Sequence, residues 1–249
     1  MKRVGILESN LSGSGFFGFK VCKDAGYHIT FFTRNLPRYR DIQMGREYID
    51  AYVDEIIETE TNDFGNIRER VLQIHEVNPF DAFLTLSEYD IVPTAKIAAE
   101  IGVRHVDPNA ALQARNKHLT RLACQAQNVP APAFVAIQKR DEVLAAIKLV
   151  GLPCIVKPAD ETSSTDVRKC YSLEEAMNHY EDIRSKSQNV RGQNRYEYVL
   201  LEQCINGYEV SVETLTLNGK HYVYGVTDKM LGGKSVFRRG WARIPIIIA

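Results

Sequence analysis

A lysine and a hydroxyl-rich loop stand next to each other in the second half of the chain. Lys157 ends a short apolar run and is followed at once by a polar loop, residues 158–166. A lysine ammonium is a compact positive charge that suits phosphate oxygens, and small hydroxylated residues offer hydroxyl and backbone N–H donors. The loop residues expected to act in this way are Ser163, Ser164 and Thr165. Together with Lys117, a second lysine earlier in the chain, this pattern indicates a triphosphate ligand.

A second group of residues suits the rest of a nucleotide. Adenine needs a backbone donor and a backbone acceptor, and Gln203 and Ile205 follow a strand-like run that ends at Glu202. Ribose hydroxyls need a carboxylate, and Glu209 lies seven residues beyond Glu202. Each residue also has a plainer interpretation. Lys117 could lie on a solvated helix face, Glu202 could be an ordinary strand-end charge, and Glu209 could lie on the exposed face of a strand.

A glycine-rich loop near the start of the chain permits a different cofactor. Gly13, Gly15 and Gly18 fit the pattern G-x-G-x-x-G between a predicted strand and a predicted helix, which is the context of a dinucleotide fingerprint. The second predicted strand lacks the acidic residue that usually binds ribose, although Arg34 there could accept a 2′-phosphate. The alternatives are NADP binding, a substrate loop, or glycines that only permit a tight turn and close helix–strand packing.

The first part of the chain is expected to form a parallel sheet, which would position the glycine-rich loop. Short apolar runs at residues 3–7, 28–33, 54–57 and 82–86 alternate with helical patterns at 16–25, 67–75 and 92–101. Such alternation predicts an α/β domain with a parallel sheet covered on both faces. A single helix is expected at 110–128. We place the domain at residues 1–110.

The second part of the chain has a different pattern. Strands are expected at 134–137, 154–156, 198–203, 209–217 and 221–226, with helices at 141–150 and 172–187. Ser172 and Glu175 form a capping-box pattern, and Asn218-Gly219 is a strong hairpin signal. The second part is therefore expected to be α+β with an antiparallel element.

Composition excludes several classes of protein. The 249 residues carry 31 Lys and Arg against 31 Asp and Glu, so no basic stripe favours nucleic acid. The arginine-rich stretches 34–40 and 184–195 are expected to be solvated. No apolar run has the length of a membrane span, and the five cysteines form no Cys-x-x-Cys motif. We expect free thiols and a cytoplasmic location.

The order of these motifs resembles the ATP-grasp superfamily, in its carboxylate–amine ligase branch. That branch includes the bacterial L-amino-acid ligases and D-alanine–D-alanine ligase, and biotin carboxylase is similar. The resemblance covers nearly the whole chain, through residues 85–89, 98–102, 114–117, 129–132 and 156–158 as well as the lysines and glutamates above. It implies a Rossmann-like domain at 1–110, then an incomplete α+β ATP-grasp domain at 111–234.

The resemblance also implies roles for individual residues. Lys117 and Lys157 would contact the phosphates, and Ser163, Ser164 and Thr165 would lie in the phosphate loop. Gln203 and Ile205 would bond adenine through their backbones, and Glu209 would hold the ribose. ATP would phosphorylate a small-molecule carboxylate, such as that of an amino acid, and an amine would attack the acyl-phosphate. No catalytic residue and no metal ligand is assigned, because Mg²⁺ ligands are expected in a later part of the family's sequence.

The chain departs from the family pattern in two places. The predicted phosphate loop contains no glycine, which should stiffen it, although we expect the loop to be mobile without nucleotide because it has no apolar anchor. Residues 235–249 do not continue the family pattern, and we expect a frameshifted or truncated product. A truncated chain would be an inactive ligase or a nucleotide-binding remnant. If the glycine-rich loop binds a dinucleotide instead, the chain would be an NADP oxidoreductase. Oligomerisation through uncovered apolar surface is left open.

Overall fold

The chain divides into two compact units. The computed structural model describes residues 1–232 and 238–240. The first unit consists of Met1–Ala123 with Arg191–Gln193, and the second consists of Cys124–Val190 with the described residues from 194 onward. The division falls beyond the predicted domain boundary at residue 110, which remains a prediction.

The first unit contains a four-stranded parallel sheet. Its order is β3-β2-β1-β4, and Val4 pairs with Ile29 on one side and with Ala82 on the other. The strands are β1 (Arg3–Ser9), β2 (His28–Thr33), β3 (Glu55–Glu58) and β4 (Ala82–Leu86). Every residue of β1 is buried, as expected for a strand covered on both faces. The predicted parallel sheet is confirmed.

Helices cover both faces of this sheet. Because successive residues of a strand point to opposite faces, Ile6 and Phe31 join one core cluster while Leu7 and Phe32 join another. The helices are α1 (Gly13–Asp24), α2 (Pro37–Arg40), α3 (Gln43–Tyr52), α4 (Phe64–Val77), α5 (Ile91–Glu100) and α6 (Pro108–Arg115). A single 3₁₀ turn, Glu88–Asp90, connects β4 to α5.

The sequence did not predict α2 and α3. Gly45 lies inside α3, where glycine normally disfavours a helix. A Cβ atom at Gly45 would lie 2.2 Å from the Tyr39 carbonyl oxygen and 2.9 Å from the Phe16 ring. Close packing of three helices therefore selects glycine at this position and overrides its low helix propensity.

The single helix predicted at 110–128 is wrong. Asn116 has an extended backbone, with φ −98° and ψ 111°, and it separates α6 from α7 (Lys117–Ala126). Its side-chain oxygen accepts hydrogen bonds from the backbone N–H groups of His118 at 3.0 Å and Leu119 at 3.2 Å. Asn116 is thus an N-cap, and Lys117 is the first residue of the new helix.

The second unit contains a four-stranded antiparallel sheet. Its order is β5-β8-β6-β7. The strands are β5 (Phe134–Ile137), β6 (Cys154–Pro158), β7 (Arg168–Cys170) and β8 (Val199–Gln203). Two helices, α8 (Glu142–Val150) and α9 (Leu173–Arg184), form a core with alternate residues of the strands, including Cys154, Val156 and Leu201. The predicted α+β class is confirmed, although β7 was not foreseen.

The start of α9 follows the predicted capping box in part. The Ser172 hydroxyl accepts from the Glu175 backbone N–H at 3.1 Å. The Glu175 carboxylate accepts from the Tyr171 backbone N–H at 2.7 Å, whereas the standard motif uses the N-cap residue itself. Both interactions satisfy donors at the beginning of the helix.

A separate ribbon continues the second unit. Strands β9 (Val210–Leu217) and β10 (Lys220–Asp228) are antiparallel. Asn218 and Gly219 between them have φ values of 52° and 77°, which are typical of the predicted hairpin turn. Strand β11 (Met230–Gly232) pairs with β12 (Arg238–Gly240). Most of the tail that the sequence singled out lies outside the described residues.

Candidate nucleotide-binding site

Lys157 and Glu202 lie on one face of the antiparallel sheet of the second unit. In the register of β6 and β8, Ile155 pairs with Glu202 and Lys157 with Leu200. Alternation along a strand points all four side chains away from the core formed by Cys154 and the helices. Lys157 Nζ donates to Glu202 Oε2 at 2.5 Å, and the two side chains are only 12% and 5% exposed. Glu202, considered as an ordinary strand-end charge, is therefore a buried and paired one.

The loop after β6 presents its hydroxyl groups from a tight turn. The Thr165 N–H donates to the Thr162 carbonyl oxygen at 2.9 Å, and the Val167 N–H donates to that of Ser164 at 3.2 Å. Ser163 and Ser164 have φ values of 53° and 61°, in the left-handed region that favours glycine. The loop thus adopts a conformation typical of glycine without containing one.

Polar side chains anchor the start of this loop. Asp160 and Glu161 are buried, with 5% and 2% of their surface exposed. The Tyr196 N–H donates to Asp160 Oδ2 at 3.0 Å, and the Val190 N–H donates to Glu161 Oε1 at 3.1 Å. These anchors are polar, so the expected mobility of the loop, which rested on the absence of an apolar anchor, stays a prediction.

The predicted adenine hinge follows β8 directly. The Gln203 N–H donates to the Ala133 carbonyl oxygen at 2.8 Å, which continues the pairing of β8 with β5 and holds this backbone extended. Ile205 lies two residues further along, and the residue is 67% exposed. The hinge thus starts from a fixed strand end.

Glu209 lies just before β9 and is bound to one cation. Lys229 Nζ donates to Glu209 Oε1 at 2.7 Å, and the Lys229 N–H donates to the Glu209 carbonyl oxygen at 2.9 Å. The Glu209 side chain is 44% exposed. One carboxylate oxygen is engaged by this lysine, and the other is a candidate acceptor for a ribose hydroxyl.

The predicted site residues fall into two groups. The sheet of the second unit carries Lys157, Glu202 and Gln203. The loop with Ser163, Ser164 and Thr165, called the hydroxyl loop below, follows β6 directly. Lys117 begins α7 and belongs to the first unit. The roles of Lys117, Lys157, Ser163, Ser164, Thr165, Glu202, Gln203, Ile205 and Glu209 remain predictions.

The glycine-rich loop of the first unit is explained by packing. A Cβ atom at Gly15 would lie 2.5 Å from Ser9 Oγ and from both oxygens of Asn10, and a Cβ atom at Gly18 would lie 2.5 Å from the Leu86 side chain. These contacts match the interpretation of close helix–strand packing. Arg34, considered for a 2′-phosphate, donates through Nη2 to the Arg191 carbonyl oxygen.

Sequence reasoning missed a buried carboxylate at the end of β1. Glu8 Oε1 accepts from the Thr61 hydroxyl at 2.7 Å and from the Arg34 N–H at 2.9 Å. Its Oε2 accepts from the Tyr39 hydroxyl at 2.5 Å and from Arg191 Nη2 at 3.1 Å. The Glu8 and Arg191 side chains are 1% and 6% exposed. The donors lie far apart in sequence, so no local pattern indicates this network.

The expectation that the arginine-rich stretch 184–195 is solvated is wrong for two residues. Arg191 and Arg195 are each 6% exposed and form buried ion pairs. Among residues 1–232 and 238–240, no group of three or more His, Cys, Asp and Glu could hold a metal ion. No helix in that part of the chain is long and apolar enough to cross a bilayer.

Family models match both parts of the chain. Residues 19–103 match the ATP-grasp N-terminal domain, and residues 150–242 match the ATP-grasp domain. Over 162 residues the chain is 25% identical to an L-arginine-specific L-amino acid ligase of Bacillus subtilis. This matched region covers 65% of this chain and 38% of that protein. A D-alanine–D-alanine ligase of Marinobacter nauticus is 29% identical over 137 residues, 52% of this chain and 39% of that protein.

Solved structures share the fold. The L-amino acid ligase of Bacillus licheniformis superposes with a TM-score of 0.74 at 22% identity, over 98% of this chain and 56% of that one. N5-carboxyaminoimidazole synthetase of Staphylococcus aureus, complexed with ADP, gives a TM-score of 0.69 at 13% identity, over 92% and 55%. The chain spans about half the length of these two structures. It spans less than half the length of the two curated relatives. The chain carries ATP-grasp domains in both of its parts and belongs to the ATP-grasp superfamily.

Proposed function

We propose that this chain binds ATP for a carboxylate–amine ligase, in which a carboxylate is activated as an acyl-phosphate and then attacked by an amine. The observation that carries the proposal is the buried ion pair of Lys157 and Glu202 beside the hydroxyl loop. A lysine in a strand with little solvent is unusual. Its ammonium group has three donors, which suit the oxygens of a phosphate as well as those of Glu202.

The elements around this pair suit the parts of the nucleotide. The turn at residues 162–165 offers hydroxyl and backbone N–H donors to the terminal phosphates. The hinge at Gln203 and Ile205 offers a backbone acceptor and donor to the adenine edge. Glu209 has a second carboxylate oxygen for a ribose hydroxyl, with Lys229 holding the first. Lys117, at the start of α7, is assigned to the phosphates as well.

The proposed cofactors are ATP and Mg²⁺. Bound Mg²⁺ would neutralise the polyphosphate, since it prefers phosphate and carboxylate oxygens. The described residues supply no cluster of metal ligands, so none of them is assigned to the metal. Their proposed task is to orient the nucleotide and balance its charge, which is the main protein contribution to phosphoryl transfer.

Amino acids are the proposed substrate class. The names of the relatives, L-amino acid ligase and D-alanine–D-alanine ligase, support this choice. A cytoplasmic location is proposed because the five cysteines are free thiols. The competing candidates are a nucleotide-binding protein without catalysis and an NADP oxidoreductase.

Calorimetry with the purified chain tests the proposal. ATP with Mg²⁺ should bind, and NADPH at the same concentrations should not. Phosphate release should then be measured with mixed amino acids. Binding of ATP without any release would favour the non-catalytic candidate, and binding of NADPH instead of ATP would reject the proposal.

A further inference from the structure

Arg195 connects the two ends of the predicted phosphate loop. Its Nη2 atom lies 2.9 Å from Glu161 Oε1 and 2.9 Å from Asp166 Oδ2. These carboxylates lie on either side of the hydroxyl-bearing turn at residues 162–165. One guanidinium nitrogen therefore fixes the width of the loop at its base.

The surroundings of Arg195 make this connection rigid. The Arg195 and Glu161 side chains are 6% and 1% exposed, and Asp166 is 17% exposed. Arg195 Nε also donates to the Gln188 carbonyl oxygen at 3.1 Å, which fixes the plane of the guanidinium. A planar, fixed group of this kind orients carboxylates better than a flexible ammonium group does.

Asp166 is held by further contacts from α9 and beyond. Lys186 Nζ donates to Asp166 Oδ1 at 2.6 Å, and His179 Nε2 lies 2.8 Å from the Asp166 carbonyl oxygen. Burial alone would raise the pKa of Asp166, but the hydrogen bonds and charges of Lys186 and Arg195 outweigh it and lower the pKa. Asp166 is therefore a carboxylate at neutral pH.

The charges of this cluster have a consequence for an anionic ligand. Without Arg195, the buried Glu161 and the partly buried Asp166 would lie beneath the turn without the cation that joins them, and carboxylates in this arrangement repel each other. They would also repel a polyphosphate bound by the turn. With Arg195 and Lys186 in place, two cations pair with Glu161 and Asp166 at the base of the loop, and its backbone is held.

We infer that Arg195 is a positioning residue for the nucleotide phosphates, which holds the turn at residues 162–165 through Glu161 and Asp166. This inference rests on the proposed ATP-binding function. It assigns Arg195 no contact with ATP itself. It also explains how a loop without glycine keeps its shape, since the left-handed residues Ser163 and Ser164 lie between the two fixed ends.

Three variants of the full chain test the inference. Arg195→Gln removes the charge, and Arg195→Lys keeps it. The matched control is Arg140→Gln, because Arg140 pairs with Glu181 on the surface of the same unit, where both side chains are more than half exposed. Calorimetry should use ATP and adenosine, since adenosine lacks the phosphates but retains the adenine and ribose.

We expect Arg195→Gln to weaken ATP binding about ten-fold. This factor corresponds to the loss of one charge-assisted hydrogen bond that holds the base of the loop. Adenosine affinity should not change, and Arg195→Lys should recover part of the loss. Hydrogen exchange without nucleotide should be faster at the amides of Thr165 and Val167 in Arg195→Gln. Arg140→Gln should match the unaltered chain in every measurement.

The inference alone would be overturned by unchanged loop exchange in Arg195→Gln, or by an unchanged ATP affinity although the unaltered chain binds ATP. An equal loss of adenosine affinity would also overturn it, because the effect would then not be specific to the phosphates. If the unaltered chain bound no ATP at all, the proposed function would fail first, and the positioning role would fail with it.

Discussion

Lys157 on β6 and Glu202 on β8 form an ion pair whose Nζ and Oε2 atoms are 2.5 Å apart. Both side chains are almost excluded from solvent. A buried charge is costly without its partner, so each of these residues depends on the other. The pair also sets the direction of the lysine, since Glu202 holds one of its three N–H groups. A structural role and a ligand-binding role therefore coincide in Lys157 and must be separated by experiment.

Substituting Lys157→Met should weaken ATP binding by roughly 1–3 kcal/mol, the range for hydrogen bonds to charged groups. It should also destabilise the second unit, by roughly 3 kcal/mol, because the buried Glu202 carboxylate loses the cation that pairs with it. Isothermal titration calorimetry and urea unfolding measure the two effects separately.

The double variant Lys157→Met with Glu202→Gln is the control for this prediction. Removing the second charge should restore most of the stability but none of the ATP affinity. If the double variant bound ATP as tightly as the unaltered chain, Lys157 would have only a structural role.

Much of the fold could be predicted because its signals are local. The buried strand at residues 28–33 and the strand at 82–86 have the predicted bounds. The hairpin at Asn218-Gly219 follows from backbone conformations that few other residue pairs adopt. Helix α3 was missed because Gly45 is selected by contacts with Tyr39 and Phe16, which no local pattern reveals.

The candidate site was predictable only in part, for the same physical reason. Lys157 stood out because a lysine in an apolar strand is unusual. Its partner Glu202 is 45 residues away, and Arg191 is 183 residues from Glu8. From the sequence, Arg195 was expected to be solvated with the rest of the stretch 184–195. Its burial against Glu161 and Asp166 arises only when the chain folds.

The backbone of the hydroxyl loop permits a comparison of two substitutions at one position. Ser164 has a φ of 61°, which glycine adopts freely and a β-branched residue adopts only with strain. Ser164→Gly and Ser164→Val both remove the hydroxyl group. Ser164→Val should therefore weaken ATP binding more, by about 1 kcal/mol beyond Ser164→Gly. Equal affinities in calorimetry would show that the left-handed conformation is not needed for binding.

The buried Glu8 network should stabilise the first unit. The Tyr39 hydroxyl donates to Glu8 and accepts from the Ser9 N–H at 3.0 Å. Tyr39→Phe removes one of several donors to Glu8 and takes away the acceptor of the buried Ser9 N–H, which should cost roughly 1–3 kcal/mol in the free energy of unfolding. Tyr48→Phe is a suitable control, because the half-buried Tyr48 ring packs against Phe17. If urea unfolding gave the same loss for both variants, the hydroxyl of Tyr39 would have no special role.

Asp90 should make the stability of the first unit depend on pH. The residue is 1% exposed, and its Oδ2 atom has no hydrogen-bond partner among the described residues. Burial raises the pKa of Asp90 to about 7; the nearby charge of Glu8 also raises it, while Ser87, Arg34 and Arg115 lower it. An unfolded aspartate has a pKa of about 3.9.

Between these two pKa values the folded chain holds a proton on Asp90 that the unfolded chain has lost. Stability contributed by this group is therefore fully present below about pH 4, falls as pH rises towards 7, and is constant above that. The total loss is on the order of a few kcal/mol.

The variant Asp90→Asn removes this titration and keeps the shape of the side chain. Its free energy of unfolding should therefore exceed that of the unaltered chain at pH 8 and nearly equal it at pH 4.5. Urea unfolding at pH 4.5, 6 and 8 measures this difference. A difference that stays constant across the three pH values would mean that Asp90 is ionised in the folded protein throughout.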